Sequence, residues 1–144
     1  MVIRIGVLVL LCAAQAIAIQ VSPLRPEPAA FVAYYWKARP GKLADYNEYI
    51  MKVAVPIDDS ARQAGVFEEV RTVMPAPAPD GTPPEWTHLR IFRLKNMAAV
   101  EKLGTGLDAA TARVVPDEAQ RKANTARAAE LRDLVRREVW TELR

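Results

Sequence analysis

Apolar positions recur along this chain at two different periods, and the switches between them lay out an α+β order. Residues 31–39 read Phe-Val-Ala-Tyr-Tyr-Trp-Lys-Ala-Arg, a run of aromatic and β-branched side chains that favours a strand. Pro40-Gly41 ends it in a turn. From 42 to 64 the period lengthens: Leu43, Tyr46, Ile50, Val53 and Ile57 share one helical face. Pro56 should kink or split that helix, and Gly65 should close it. A second strand is expected over 66–74, with Val66, Val70 and Thr72 on one side. Residues 75–84 form a proline-rich loop around Asp80-Gly81, and 86–94 form a third strand paired with the second as a hairpin. Asn96 suits the N-cap of a short helix over 97–103, which Gly104 and Gly106 should stop. A long helix is expected over 116–144. Pro116 fits its first position, Asp117 and Glu118 its first turn, and Arg136, Arg137 and Arg144 its far end. Ala119, Ala123, Ala126, Leu131, Leu134 or Val135, and Val139 give it an apolar stripe.

Strand–helix–strand–strand–helix is most of a split βαβ, the ferredoxin-like plan. The only candidate for a fourth strand is the short segment 112–115. The first strand carries large apolar residues on both faces, Tyr34 and Trp36 against Phe31 and Tyr35, and the third also has two usable faces. Helices can cover one face of such a sheet; the other is expected to close on a second copy of the chain, making a homodimer.

The first eighteen residues have a different character. Arg4 precedes an apolar run over 5–14, and Ala16-Ile17-Ala18 follows it. That is the pattern of a secretory signal peptide cleaved before Ile19. The run is too short for a stable membrane span, which takes roughly 20 residues. A secreted or periplasmic protein is therefore expected. The single cysteine, Cys12, lies in this segment, so the mature chain has no disulfide, thiolate ligand or cysteine nucleophile. Residues 19–29, with Pro23, Pro26 and Pro28, read as an extended lead-in, and 30–144 as a single α+β domain. A formal net charge of +3 is too small for a nucleic-acid footprint, and nucleic acid is not expected as a partner. No glycine-rich phosphate loop or dinucleotide fingerprint occurs.

Candidate chemistry gathers on the third strand. Parity over 86–94 puts Trp86, His88, Arg90 and Phe92 on one face, with Thr87, Leu89 and Ile91 on the other. The aliphatic face is expected beneath the helices and the mixed face in a cavity, since ligand pockets combine apolar walls with a few convergent polar groups. His88, the only histidine, is the candidate general acid or base, with Arg90 as the catalytic partner for developing negative charge. An alternative for Arg90 is an ion pair with Glu68 or Glu69 across the hairpin, and Arg71 faces a similar choice. Tyr35, Trp86, Phe92 and Arg71 are the candidate ligand-binding residues. The adjacent acids Asp58-Asp59 and Glu68-Glu69 point apart, and with one histidine no metal site is expected; no cofactor is expected either.

The segment Tyr35-Trp36-Lys37-Ala38-Arg39-Pro40-Gly41-Lys42, followed by Tyr46, resembles the first strand and turn of the dimeric α+β barrel superfamily. That superfamily includes antibiotic-biosynthesis monooxygenase-like proteins and small polyketide cyclases. The resemblance runs over roughly residues 30–103 and implies a ferredoxin-like dimeric α+β barrel; the long C-terminal helix would be an addition to it. Two readings of function stand side by side. One is an exported protein that binds a small organic molecule in a cavity beneath the sheet, with cofactor-independent chemistry of monooxygenase or cyclase type. The other is a non-enzymatic structural or interaction protein assembling through its C-terminal helix.

Overall fold

A computed structural model describes residues 26–143 of the chain. The expected signal peptide and most of the lead-in lie outside the described residues. The elements are β1 (Ala30–Ala38), α1 (Leu43–Tyr49), α2 (Val55–Gln63), β2 (Glu69–Val73), β3 (His88–Leu94), α3 (Ala98–Val114), α4 (Glu118–Leu131) and β4 (Arg132–Thr141). Four strands make one antiparallel sheet in the order β2-β3-β1-β4. The chain thus runs strand–helix–strand–strand–helix–strand, each half a strand pair split by a strand of the other.

Local chemistry explains most of the boundaries. Pro40 and Gly41 are the central residues of a turn closed by Lys42 N–H donating to the Arg39 carbonyl at 2.9 Å. Gly41 has φ +73°, the left-handed value that the third position of a type II turn requires. Pro56 does not break the first helical run. Residues Ile50–Ala54 widen instead into π-helical turns between α1 and α2, and Pro56 falls in the first turn of α2. A proline there has no N–H to give to the preceding turn, and the wider turns absorb the mismatch.

The C-terminal third departs from the sequence expectation in two ways. The helix expected over 97–103 continues to Val114, through both glycines, so the segment 112–115 proposed as a fourth strand is the last turn of this helix and its C-cap. The long helix expected over 116–144 ends at Leu131, and Arg132–Thr141 is the fourth strand, paired along the whole of β1. β4 reads Arg-Asp-Leu-Val-Arg-Arg-Glu-Val-Trp-Thr, in which valine, tryptophan and threonine suit a strand as well as leucine suits a helix. The open edge of β1 decides between them, because a central strand left with unpaired backbone groups is costly.

The helices cover one sheet face. Val32, Phe92 and Leu94 from the sheet meet Ala61, Phe67, Leu103 and Ala110 in the larger core cluster. A second cluster joins Ala38, Tyr46, Ile50 and Leu131. The opposite sheet face carries Phe31, Ala33 and Tyr35 of β1, Leu89, Ile91 and Arg93 of β3, Glu69, Arg71 and Val73 of β2, and Arg136, Glu138 and Trp140 of β4, as the strand registers require.

Candidate functional site

His88 and Arg90 point into the helix layer, not away from it. His88 stands opposite Trp36 and Arg90 opposite Tyr34, all on the covered face. The sequence expectation placed the aliphatic Leu89 and Ile91 beneath the helices; the structure reverses the two faces, leaving Leu89 and Ile91 half-buried on the open side while His88 is 1% and Arg90 8% exposed. Burying these polar groups is possible because each finds partners on the helices above. Oδ1 of Asn47 can only accept, so Nε2 of His88 carries the proton it donates across 2.7 Å. Nδ1 then accepts from the Thr87 hydroxyl at 2.9 Å, and that hydroxyl oxygen accepts the Ala38 N–H at 2.7 Å. The edge of the ring packs against Tyr46, with centroids 4.5 Å apart. Burial, with Arg132 and Arg90 nearby, holds the imidazole below its ordinary pKa, so the ring is neutral at neutral pH.

Arg90 donates to the Asp58 carboxylate of α2, a buried ion pair, and Nε donates to the Thr72 hydroxyl at 3.3 Å. This replaces the expected pairing of Arg90 with Glu68 or Glu69; Glu68 binds Arg93 instead. Burial pushes the Asp58 carboxyl up, and Arg90 pulls it back. A third arginine joins them. Arg132, the first residue of β4, lies over the Trp36 ring with its guanidinium carbon 3.7 Å from the centroid, and Nη1 donates to the Tyr46 hydroxyl at 2.6 Å. Burial raises the Tyr46 phenol while Arg132 draws it down. Farther along β4, Arg137 lies over Tyr34 at 5.6 Å, and Tyr34 and Trp36 stack at 6.3 Å.

Two clefts border this region, and His88 and Arg90 line neither of them. One, of about 440 Å³, lies between the first helical layer and β2 and is lined by Ile50, Met51, Val55, Asp58 and Thr72 among others. It reaches both partners of Arg90. The other, of about 310 Å³, is lined by Trp36, Arg39, Ala128, Arg132, Asp133 and Leu134 among others. Among the described residues, no cluster of three or more His, Cys, Asp or Glu side chains could hold a metal ion.

The structure divides the sequence-predicted site residues between two faces. His88, Arg90 and Phe92 are together under the helices. Tyr35 and Trp86 meet on the open face, edge to face at 5.6 Å. Trp86 departs from the parity of the strand because the ladder begins only at His88. Arg71 is also on the open face, bound to Glu69 at 2.6 Å, and helps line a cavity of about 390 Å³ with Phe31, Ile91 and Trp140. Asn47, Asp58, Thr72, Arg132 and Arg137 complete the covered site; Asp58 figures in the sequence only as one of two adjacent acids, Thr72 only as a strand residue and Arg137 only at the far end of the expected helix. Tyr46 is legible in the sequence as part of the turn motif and of the apolar face of the first helix, with no role at a site.

No family model and no curated protein matches the chain. Solved structures do. HapK from Hahella chejuensis superposes with a TM-score of 0.52 at 6% identity, over 79% of this chain and 92% of that one. An EthD-like protein from Ralstonia eutropha JMP134 superposes with a TM-score of 0.51 at 11% identity, over 79% of this chain and 91% of that one. At such identities the likeness shows the fold, an α+β architecture shared along most of all three chains, and function must be argued from the site.

Proposed function

We propose that this chain is an exported, ferredoxin-like protein of the dimeric α+β barrel type that binds a small organic molecule between its sheet and its helices. The observation that carries the reading is the polar strip His88–Asn47 and Arg90–Asp58, buried in an otherwise apolar and aromatic layer, with a cleft in the usual size range of ligand sites lined by Asp58 and Thr72, the two partners of Arg90. Buried ion pairs add little net stability over apolar side chains of the same volume, so a core that keeps one here has a use for it. The residues offer groups for cofactor-independent chemistry: a neutral imidazole, a phenol and a guanidinium. His88 is the proton-transfer candidate, and Arg90 the group for negative charge. Structural likeness to HapK and an EthD-like protein supports the fold beneath this reading. The competing reading, assembly through a long C-terminal helix, has lost ten residues of that helix to β4.

One measurement tests the proposal. The full chain is expressed in a host with a secretory pathway, and the exported protein is weighed by native and denaturing mass spectrometry. The denatured mass should be that of a chain beginning at Ile19. The native mass should carry a small organic adduct that His88→Gln or Arg90→Gln reduces. A chain retaining Met1 would refute export. Adduct-free spectra from wild type and variants alike would refute ligand binding.

A further inference from the structure

We infer that the ligand is an organic anion, a carboxylate on a flat apolar body, and that Arg132 and Arg137 of β4 are the residues that hold it. The inference rests on the small-molecule reading above and adds the ligand's charge and the residues that recognise it. Arg90 is neutralised within the protein by Asp58. Arg132 is not: among the described residues no Asp or Glu lies within ion-pair distance of it, and the same holds for Arg137, although ten other Arg or Lys side chains do find such partners. Both unpaired cations are instead laid on aromatic rings of β1, Arg132 on Trp36 and Arg137 on Tyr34, and those two rings are themselves stacked within 14° of parallel. The result is a short strip in which each aromatic ring carries a cation. One guanidinium nitrogen of Arg132 is used by the Tyr46 hydroxyl, and Arg132 borders the 310 Å³ cleft with Trp36, Leu134 and the Arg39–Asp133 ion pair, while Arg137 lies farther along the strip, outside the lining of the cleft. A planar fork with unused donors matches a carboxylate, and aromatic and leucine walls match a flat apolar body.

A detail of the backbone places Arg132 there. The register of β4 on β1 slips between Tyr35 and Trp36, so that Tyr35 faces Arg136 but Trp36 faces Leu134. Val135 is the extra residue of this bulge. Without it, strict alternation would turn Arg132 to the open face and put Asp133 opposite Ala38 on the covered side. The bulge therefore brings Arg132 to the covered side of the cleft. Asp133 also lines the cleft, but Arg39 binds it there at 2.8 Å, so the charge left without a partner in the lining is that of Arg132.

Two probes of one shape test this. 2-Naphthoate and 2-naphthamide are titrated into the purified protein at low ionic strength by calorimetry. The wild type should bind the carboxylate at least about tenfold tighter than the amide, the gain expected of charge-assisted hydrogen bonds. Arg132→Gln should erase the preference, and Arg132→Lys should keep part of it, since a point charge cannot match the fork. Arg137→Gln changes an exposed side chain, cannot unfold the core, and should reduce the preference by a smaller factor. Equal affinity for the two probes, or no binding of the carboxylate, overturns the inference. So does a preference that survives both Arg132→Lys and Arg137→Gln unchanged, which settles the matter even if Arg132→Gln does not fold. A co-purified adduct on a protein blind to the carboxylate would sink the anion assignment alone and leave the small-molecule reading standing.

Discussion

His88 combines complete burial with two hydrogen bonds, and this makes it costly to change in a way that can be measured. Glutamine cannot satisfy both Thr87 and Asn47 from the same place, so His88→Gln should lose about 1–3 kcal/mol and several degrees of melting temperature. The ring also imposes a pH dependence. Its folded pKa lies below the ordinary 6.5, so below about pH 6.5 the unfolded chain takes up a proton that the folded chain refuses. Stability should therefore be free of this penalty above about pH 6.5 and fall as the pH drops from there toward the lower folded value. Thermal melts of wild type and His88→Gln between pH 5 and 8 check it: the two curves should converge on acidification, and parallel curves would show that the ring does not control the slope. How much of this site the sequence disclosed follows from distance along the chain. That His88, Arg90 and Phe92 share a side was legible, because alternation is local. Which side the helices cover was not, because the more aliphatic Leu89 and Ile91 pointed the wrong way, and the partner that makes Arg90 tolerable in the core, Asp58, is 32 residues away.

At the level of elements, two glycines in α3 were read as stops and turn out to have separate roles. A Cβ on Gly106 would sit 2.5 Å from Cγ1 of Val66 and 2.7 Å from Cγ2, so this glycine marks where α3 crosses closest to the start of the hairpin segment. A Cβ on Gly104 would meet nothing within 4 Å. Gly104→Ala should then stabilise by about 0.5–1 kcal/mol through the helix alone. Gly106→Ala, with the same gain in propensity, should be destabilising by about 1–3 kcal/mol because Val66 must move. Equal melting shifts in the two variants would show that α3 does not pack on Val66. The elements legible in the sequence were those whose pattern and punctuation agree, such as the strand ending at Pro40-Gly41. β4 was illegible for the opposite reason. Leu131, Leu134 or Val135, and Val139 fit a helical stripe, while the valines, Trp140 and Thr141 fit a strand, and only the vacant edge of β1 selects the second. Its many charges suit an edge strand, which must resist adding further strands.

For the whole molecule, the open sheet face is the feature on which the expected homodimer turns, and its charges bear on what could cover it. Glu69 is bound by Arg71, Arg93 by Glu68, and Glu138 by Arg136, so each ion on this face or at its border is already neutralised within its own chain. What remains between them is apolar: Phe31, Leu89 and Ile91, each half-buried, flanked by Val73 and Trp140, which are 42% and 38% exposed. A face with no charge left to offer is poorly suited to a partner of opposite sign and well suited to a copy of itself, meeting about a two-fold axis. The covered face, where the ligand is proposed, stays clear of that contact. Ile91 lies near the middle of the open face and is only half-buried in the single chain, so Ile91→Glu should leave the fold intact while placing a charge where the two sheets would meet, unpaired and cut off from water. Light scattering should give the mass of two chains for the wild type and of one chain for Ile91→Glu, with circular dichroism unchanged between them. A wild type that weighs one chain at micromolar concentration, or a variant that still weighs two, would remove the homodimer and leave the open face without an occupant of its own kind.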